Sequence, residues 1–168
     1  MIHLITGASH TGKTALAQRM LEAYHFPYLS LDHLKMGLIR SGHTDLTPLS
    51  SDEALTDLLW PIAREMIKTA IENGQNLIVE GCYIPFTWAE EFPPEYLEHI
   101  RFHCLVMTEG YIRTHFDDIR SHADIIEHRL TEDLNPEEVL RDNADCLARA
   151  RKHHQDCILI DERYDIRL

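Results

Sequence analysis

Nowhere in this 168-residue chain is there a run of the roughly 18–20 apolar residues needed to cross a bilayer, which excludes a helical membrane span. Nor does the N-terminus carry the charged, apolar and small-residue series of a secretory signal. Residues 2–6 pass straight into a strand-like segment that leaves no room for targeting, so the expected location is cytoplasmic. Basic residues are scarce: 16 Lys and Arg stand against 28 Asp and Glu, for a formal net charge of −12. Such a chain repels a polyanion, so nucleic acid is not expected as the principal partner. The four cysteines (Cys82, Cys104, Cys146, Cys157) show no C-x-x-C spacing. Disulfide frameworks and zinc sites want closer pairing, so these read as reduced thiols. Of the twelve histidines only His153 and His154 are adjacent, and no H-x-E-type ligand set is present, which argues against a structural metal. Linkers of low complexity and internal repeats are absent too, as expected of one domain over residues 1–168.

What the chain does have is Gly7-Ala8-Ser9-His10-Thr11-Gly12-Lys13-Thr14, a complete G-x-x-x-x-G-K-[ST] phosphate-binding loop. Ahead of it, Ile2-His3-Leu4-Ile5-Thr6 is apolar enough for a short buried strand. Behind it, Ala15, Leu16, Ala17, Met20, Leu21 and Tyr24 recur at helical spacing. Strand, glycine-rich loop and helix are the context the motif needs. Backbone N–H groups of the loop (Gly7, Ser9, His10, Thr11, Gly12) and the positive end of the helix then point at one anion. Lys13 is expected on the β- and γ-phosphates and the Thr14 hydroxyl on Mg²⁺. The spacing therefore predicts a nucleoside triphosphate site. No N-K-x-D base-reading motif accompanies it, so the signature of a GTPase is missing.

The rest of the chain alternates short apolar strands with helices. Strands are predicted at Tyr28–Leu31, Leu77–Val79, Ile100–Met107 and Cys157–Ile160. A helical turn is expected over His33–Arg40, a loop over Ser41–Ser50, and a long amphipathic helix opening on the capping-box spacing of Ser50 and Glu53. Its apolar face would include Leu55, Leu58, Leu59, Ile62, Met66, Ile67, Ala70 and Ile71. Pro61 is expected to kink or divide it, and Asn73-Gly74 to end it. A short helix is expected around Thr87–Glu91, and a polar helical stretch over Tyr111–Leu130 reads as two helices. Asn135-Pro136-Glu137-Glu138 is a helix start with cap, proline and acids in place. Such alternation predicts a five-stranded parallel sheet in a three-layer α/β/α domain. Ligands gather at the carboxyl ends of such strands, where Gly7, Asp32, Glu80, Thr108 and Asp161 all fall.

Two of these acids are candidates for chemistry. Asp32 can act as general base on an acceptor hydroxyl, help hold Mg²⁺ through water, or cap the following helix. Glu80 follows three apolar residues, and a carboxylate buried there calls for a metal-bound water or a substrate group. Ile158-Leu159-Ile160-Asp161-Glu162 resembles the acidic metal-binding strand of an ATPase, but only six residues follow it. Arg113 and Arg120, seven apart, would share one helical face; with Arg129 on the next helical stretch they lie in a segment polar nearly all round, much of which cannot be core. Residues 110–133 thus read as a lid carrying arginines to the nucleotide, or as a solvated helix with surface ion pairs. Lys35 and Arg40 are acceptor-side or surface residues. The acceptor pocket is expected from Asp32–Arg40, Thr44–Ser51 and Cys82–Trp88, with Tyr83, Phe86, Trp88 and Trp60 available to stack on a ring.

The phosphate loop, the Asp closing the second strand, Leu77-Ile78-Val79-Glu80-Gly81 and the Arg-bearing segment after the fourth strand together resemble the small P-loop kinases. That group contains nucleoside monophosphate kinases, shikimate kinase, uridine kinase and the chloramphenicol phosphotransferase and zeta-toxin relatives. The overall look is similar to bacterial proteins labelled adenylate kinase-like or 2-phosphoglycerate kinase-like. The resemblance implies strand order 2-3-1-4-5, ATP with Mg²⁺, and phosphoryl transfer to a small molecule. It carries over Lys13, Thr14, Asp32, Glu80, Arg113 and Arg120, with Thr14 and Glu80 toward the metal. Arg129 is expected near the nucleotide, and Asp32, Lys35, Arg40, Glu80 and Tyr83 near the acceptor. The loop lacks the extra glycine typical of adenylate kinase, and its acceptor-binding arginines are not evident beyond Arg40. Two other readings of the same loop are a regulatory ATP-binding module and an ATPase coupled to a macromolecule.

Overall fold

The computed structural model describes residues 1–122 and 134–166. Its sheet has five parallel strands in the order β2-β3-β1-β4-β5. They are β1 (Ile2–Gly7), β2 (Tyr28–Ser30), β3 (Leu77–Glu80), β4 (Ile100–Met107) and β5 (Cys157–Ile160). The helices are α1 (Lys13–Tyr24), α2 (Leu31–Arg40), α3 (Asp52–Glu72), α4 (Pro94–Leu97), α5 (Glu109–His122) and α6 (Pro136–Lys152), with a 3-10 turn at Trp88–Glu91. The expected three-layer α/β/α fold and its strand order are what the structure shows.

Alternation along β1 sends Leu4 and Ile5 to opposite faces. Leu4 and Val79 pack under α3 with Leu55, Leu59, Ala63 and Ile67. Ile5, Ile78 and Leu105 pack under α1 with Leu16, Ala17 and Met20. Both faces are covered, which is why the inner strands read as unbroken apolar runs. Among the described residues no helix is long and apolar enough to cross a membrane.

Several boundaries differ from the sequence expectation. Strand β2 stops at Ser30, and Leu31 already belongs to α2, a full helix of ten residues rather than a turn. Leu31 is wholly buried in the α3-side core, so packing pulls it into the helix. The N-cap of α3 is Ser51, whose side chain accepts from the Ala54 N–H, so the cap sits one residue later than the Ser50–Glu53 spacing suggests. Ser50 Oγ instead accepts from the Thr47 N–H and shapes the preceding loop. Helix α3 also runs through Pro61 undivided over 21 residues. An interior proline costs about 3 kcal/mol. Burying Leu59 and Ile67 completely, at about 1.5–3 kcal/mol each, offsets that. Ile62 and Met66, placed on the apolar face by spacing, are instead 36% and 42% exposed. In α5, His115 has non-helical φ/ψ (−117°, 22°), its ring stacked on Tyr111 and its Nδ1 3.2 Å from the Tyr111 carbonyl. Helix α6 starts as expected, Asn135 Oδ1 accepting from the Glu137 N–H at 3.0 Å.

A histidine pair bridges β1 and β4. His3 Nδ1 lies 3.0 Å from His103 Nε2, with the rings stacked. Burial, then the N-terminal ammonium and Arg101, lower the pKa of His3. Burial, then His3 and Arg101, push His103 from 6.5 down to about 4. With folded values below unfolded ones, the unfolded chain binds more protons between pH 6.5 and about 4. The pair is therefore harmless above pH 6.5 and destabilising as pH falls through that window. We expect the drop in melting temperature between pH 7 and pH 5 to shrink in His103→Gln. Equal drops in both proteins would rule this contribution out.

Candidate active site

The phosphate loop turns because two residues adopt left-handed backbone, His10 (φ 64°) and Gly12 (φ 77°). The loop folds back on the Ala8 carbonyl, which accepts both Thr11 Oγ1 and Lys13 Nζ at 2.8 Å. Lys13 is only 6% exposed, so its ammonium is held over the loop rather than in solvent. Helix α1 begins at Lys13 with no acid in its first turn, leaving the positive end of its dipole uncompensated by side chains. Ser9 and His10 are half-buried at the loop crest.

Glu80 ends β3 beside β1, in register with Ile5, and is 1% exposed. Its Oε2 accepts the Thr14 hydroxyl at 3.2 Å. A hydroxyl and a buried carboxylate converging beside the loop are hard oxygen donors that suit Mg²⁺. That ion takes one or two protein ligands and fills its shell with water and phosphate oxygens.

A second group forms at the ends of β2 and β3. Asp32 lies in the first turn of α2, with Ser30 rather than Asp32 at the cap position. Its carboxylate pairs with Lys35, one turn on. Lys35 Nζ also donates to the Tyr83 hydroxyl at 2.9 Å and sits 5.0 Å from that ring's centroid. Burial pulls the Lys35 pKa down, but the hydrogen bonds to Asp32 and Tyr83 outweigh it and hold the ammonium above its ordinary value. Burial raises Tyr83, partly countered by Lys35, so the phenol keeps its proton. Lys35 is thus a partly buried cation committed to two polar partners.

Other sequence candidates lie elsewhere. Arg40 is exposed at the far end of α2, two turns or about 12 Å along the axis from Asp32. Arg113 is 55% exposed and pairs with Glu109 at 2.8 Å and Glu137 at 3.5 Å. Arg120 is 63% exposed and pairs with Asp117 at 3.0 Å. The break at His115 falls between these two arginines, so the single-face argument from their spacing does not carry across it. Arg129 and the rest of the expected lid from residue 123 to 133 lie outside the described residues. Asp161 accepts the Thr108 hydroxyl at 2.8 Å, and Thr108 Oγ1 accepts from the Tyr111 N–H, so this acid braces the start of α5. The aromatics proposed for ring stacking are mostly core: Trp60 donates to Glu91 at 2.8 Å, and Trp88 stacks on Phe102. Tyr83 alone among them touches the Asp32–Lys35 pair.

Sequence reasoning missed Tyr164. Its hydroxyl donates to the Gly12 carbonyl at 2.9 Å and lies 3.3 Å from the Thr11 carbonyl. A Cβ on Gly12 would come within 2.3 Å of that oxygen, so glycine is needed for the phenol's approach as well as for its φ. Burial pushes the Tyr164 pKa up to about 12, and the Arg19 guanidinium lies 5.7 Å from the ring centroid. On a nucleotide-site reading of the loop, Tyr164→Phe should weaken nucleotide affinity about three- to tenfold, the worth of one hydrogen bond of about 1 kcal/mol. An unchanged affinity, read by calorimetry, would remove Tyr164 from the loop's support.

Comparison with solved structures places this fold. A gluconokinase from Sinorhizobium meliloti 1021 superposes with a TM-score of 0.50 at 15% identity, covering 95% of this chain and 81% of that one. A shikimate kinase from Bacteroides thetaiotaomicron superposes with a TM-score of 0.51 at 13% identity, covering 96% and 86%. No family model matches the chain, and no curated protein matches it in sequence. The chain therefore has the fold of the small P-loop kinases over nearly its whole length.

Proposed function

We propose that this protein is an ATP-dependent phosphotransferase that moves the γ-phosphoryl group of ATP to a hydroxyl of a small molecule. The observation that carries this reading is the meeting of two half-sites on neighbouring strand ends. Lys13, Thr14 and Glu80 form a donor half around the loop. Asp32, Lys35 and Tyr83 form a second polar cluster that a nucleotide does not need. The names of the two structural neighbours, both kinases of small molecules, support it.

In this reading Thr14 and Glu80 would hold Mg²⁺, which when bound would neutralise phosphate charge. Lys13 releases the Ala8 carbonyl and turns to the β- and γ-phosphates. Asp32 takes the acceptor's hydroxyl proton while the new O–P bond forms, the β–γ bridging O–P bond breaks and ADP leaves. Lys35 holds the Asp32 carboxylate in place and, with Tyr83, meets polar groups of the acceptor. One domain, residues 1–168, carries both halves. Arg113 and Arg120, on the exposed side of α5, exchange their carboxylate partners for phosphate.

The test is a thermal-shift screen of small hydroxylated metabolites with ATP and Mg²⁺, followed by a transfer assay on the hits. Asp32→Asn should then lower kcat by at least about 10²-fold, the low end for general base catalysis, while ATP still stabilises the protein. A near-normal rate would leave Asp32 a structural partner of Lys35. Stabilisation by ATP with no transfer to any acceptor would favour the regulatory-module reading.

A further inference from the structure

Three of the four cysteines, scattered in sequence, meet behind the phosphate loop. Cys104 on β4 and Cys157 on β5 are register partners across the parallel ladder. Cys146 on α6 packs onto the same cluster, its Sγ 3.8 Å from that of Cys104. Cys104 is fully buried, whereas Cys146 and Cys157 are half-buried. All three are free thiols, and Cys82 lies outside the cluster.

The two nearest sulfurs differ in character. The neighbouring Cys146 and Cys157 sulfurs, then burial, push the Cys104 thiol well up, so it keeps its proton. Cys146 is brought down from 9.0 to about 7. The Cys104 hydrogen bond is the largest cause; burial opposes it, and the Lys13 ammonium, the Ala8 N–H and Arg149 reinforce it. The cluster adjoins the loop through β1: Cys104 is in register with Thr6, next to Gly7 where the loop begins, and the Ala8 carbonyl in that loop accepts Lys13 Nζ and Thr11 Oγ1.

We propose that Cys146 and Cys104 form a peroxide-oxidisable thiol pair whose disulfide weakens nucleotide binding at the phosphate loop. The second half rests on the nucleotide-site reading of that loop. The Cys146 thiolate attacks one oxygen of hydrogen peroxide; an S–O bond forms, the O–O bond breaks, and hydroxide leaves to become water. Cys104 sulfur then attacks the sulfenic sulfur. The S–S bond forms, the S–O bond breaks, and hydroxide departs with the Cys104 proton as a second water. Two thiols lose two electrons, and the peroxide gains them. A disulfide is about 2.05 Å long, so the sulfurs must close from 3.8 Å. Cys104 is fixed in a strand flanked by β1 and β5, so Cys146 and α6 do the moving. The shift falls against the strand ends at Thr6 and Gly7 from which the loop that seats Lys13 and Thr11 departs.

The experiment treats the full chain, reduced and desalted, with hydrogen peroxide and maps its peptides without reduction. The expected product is a Cys104–Cys146 link with loss of two hydrogens and an ATP·Mg²⁺ Kd raised about tenfold or more, both reversed by dithiothreitol. Cys157→Ala should still form the link and Cys146→Ser should not, its ATP affinity becoming indifferent to peroxide. A dominant Cys104–Cys157 link, faster oxidation at Cys82, or a linked protein that binds ATP as tightly as the reduced one would overturn the proposal. A reduced protein that binds no ATP would overturn the nucleotide-site reading and the coupling with it, while the mapping still decides the thiol pair.

Discussion

Lys13→Ala is expected to lower phosphoryl transfer by at least about 10³-fold while leaving the melting temperature within a few degrees of the parent. The two halves of this expectation have separate causes. Among the described residues the Lys13 ammonium donates to the Ala8 carbonyl, and it is almost wholly buried. Deleting it forfeits about 1 kcal/mol of net hydrogen bonding but also removes a buried charge, and Thr11 still satisfies Ala8. Little stability is at stake. In the proposed transfer the same ammonium would face charge gathering on the transferring group, where a preorganised cation is worth several kcal/mol. The checks are a transfer assay on an identified acceptor and a thermal melt. Turnover within tenfold of the parent would sink the donor-site assignment.

The second large effect is structural. Gly7→Ala should destabilise the protein by at least about 3 kcal/mol, lowering its denaturant midpoint or preventing folding. Gly7 ends β1 opposite Leu105 of β4, and a Cβ there would lie 2.2 Å from the Leu105 carbonyl oxygen. The obstacle is backbone in an interior strand, so no side chain can swing aside. Its φ of 143° adds strain for any residue with a Cβ. Gly42→Ala is the control: its φ is 73°, but nothing lies within 4 Å of the added carbon. It should cost only about 1 kcal/mol, the left-handed backbone penalty alone. Equal losses at the two positions would show that close approach of β4 does not define Gly7.

Legibility of this site in the sequence followed the range of the interactions. The loop was readable because its turn, its lysine and its helix start are consecutive residues whose backbone conformation is local. Glu80 was readable because a lone acid after Leu77-Ile78-Val79 can only lie at a strand end. The contacts of Lys35 were not readable. Its partner Tyr83 is 48 residues away, and only the adjacency of β2 and β3 makes the lysine a partly buried cation. Arg113 and Arg120 illustrate the reverse failure. Spacing of seven implies a shared face only while the helix is unbroken, and His115 breaks it.

By itself, then, the sequence determined the alternation of strands and helices, the phosphate loop, and the acids at the carboxyl ends of the strands. Each follows from periodicity or from a backbone motif spanning a few residues. Tertiary structure alone decided what stands behind that loop. Tyr164 reaches Gly12 across 152 residues, and Cys146 reaches Cys104 across 42. Such contacts depend on which strands are neighbours and which helix covers them, and no local pattern encodes that.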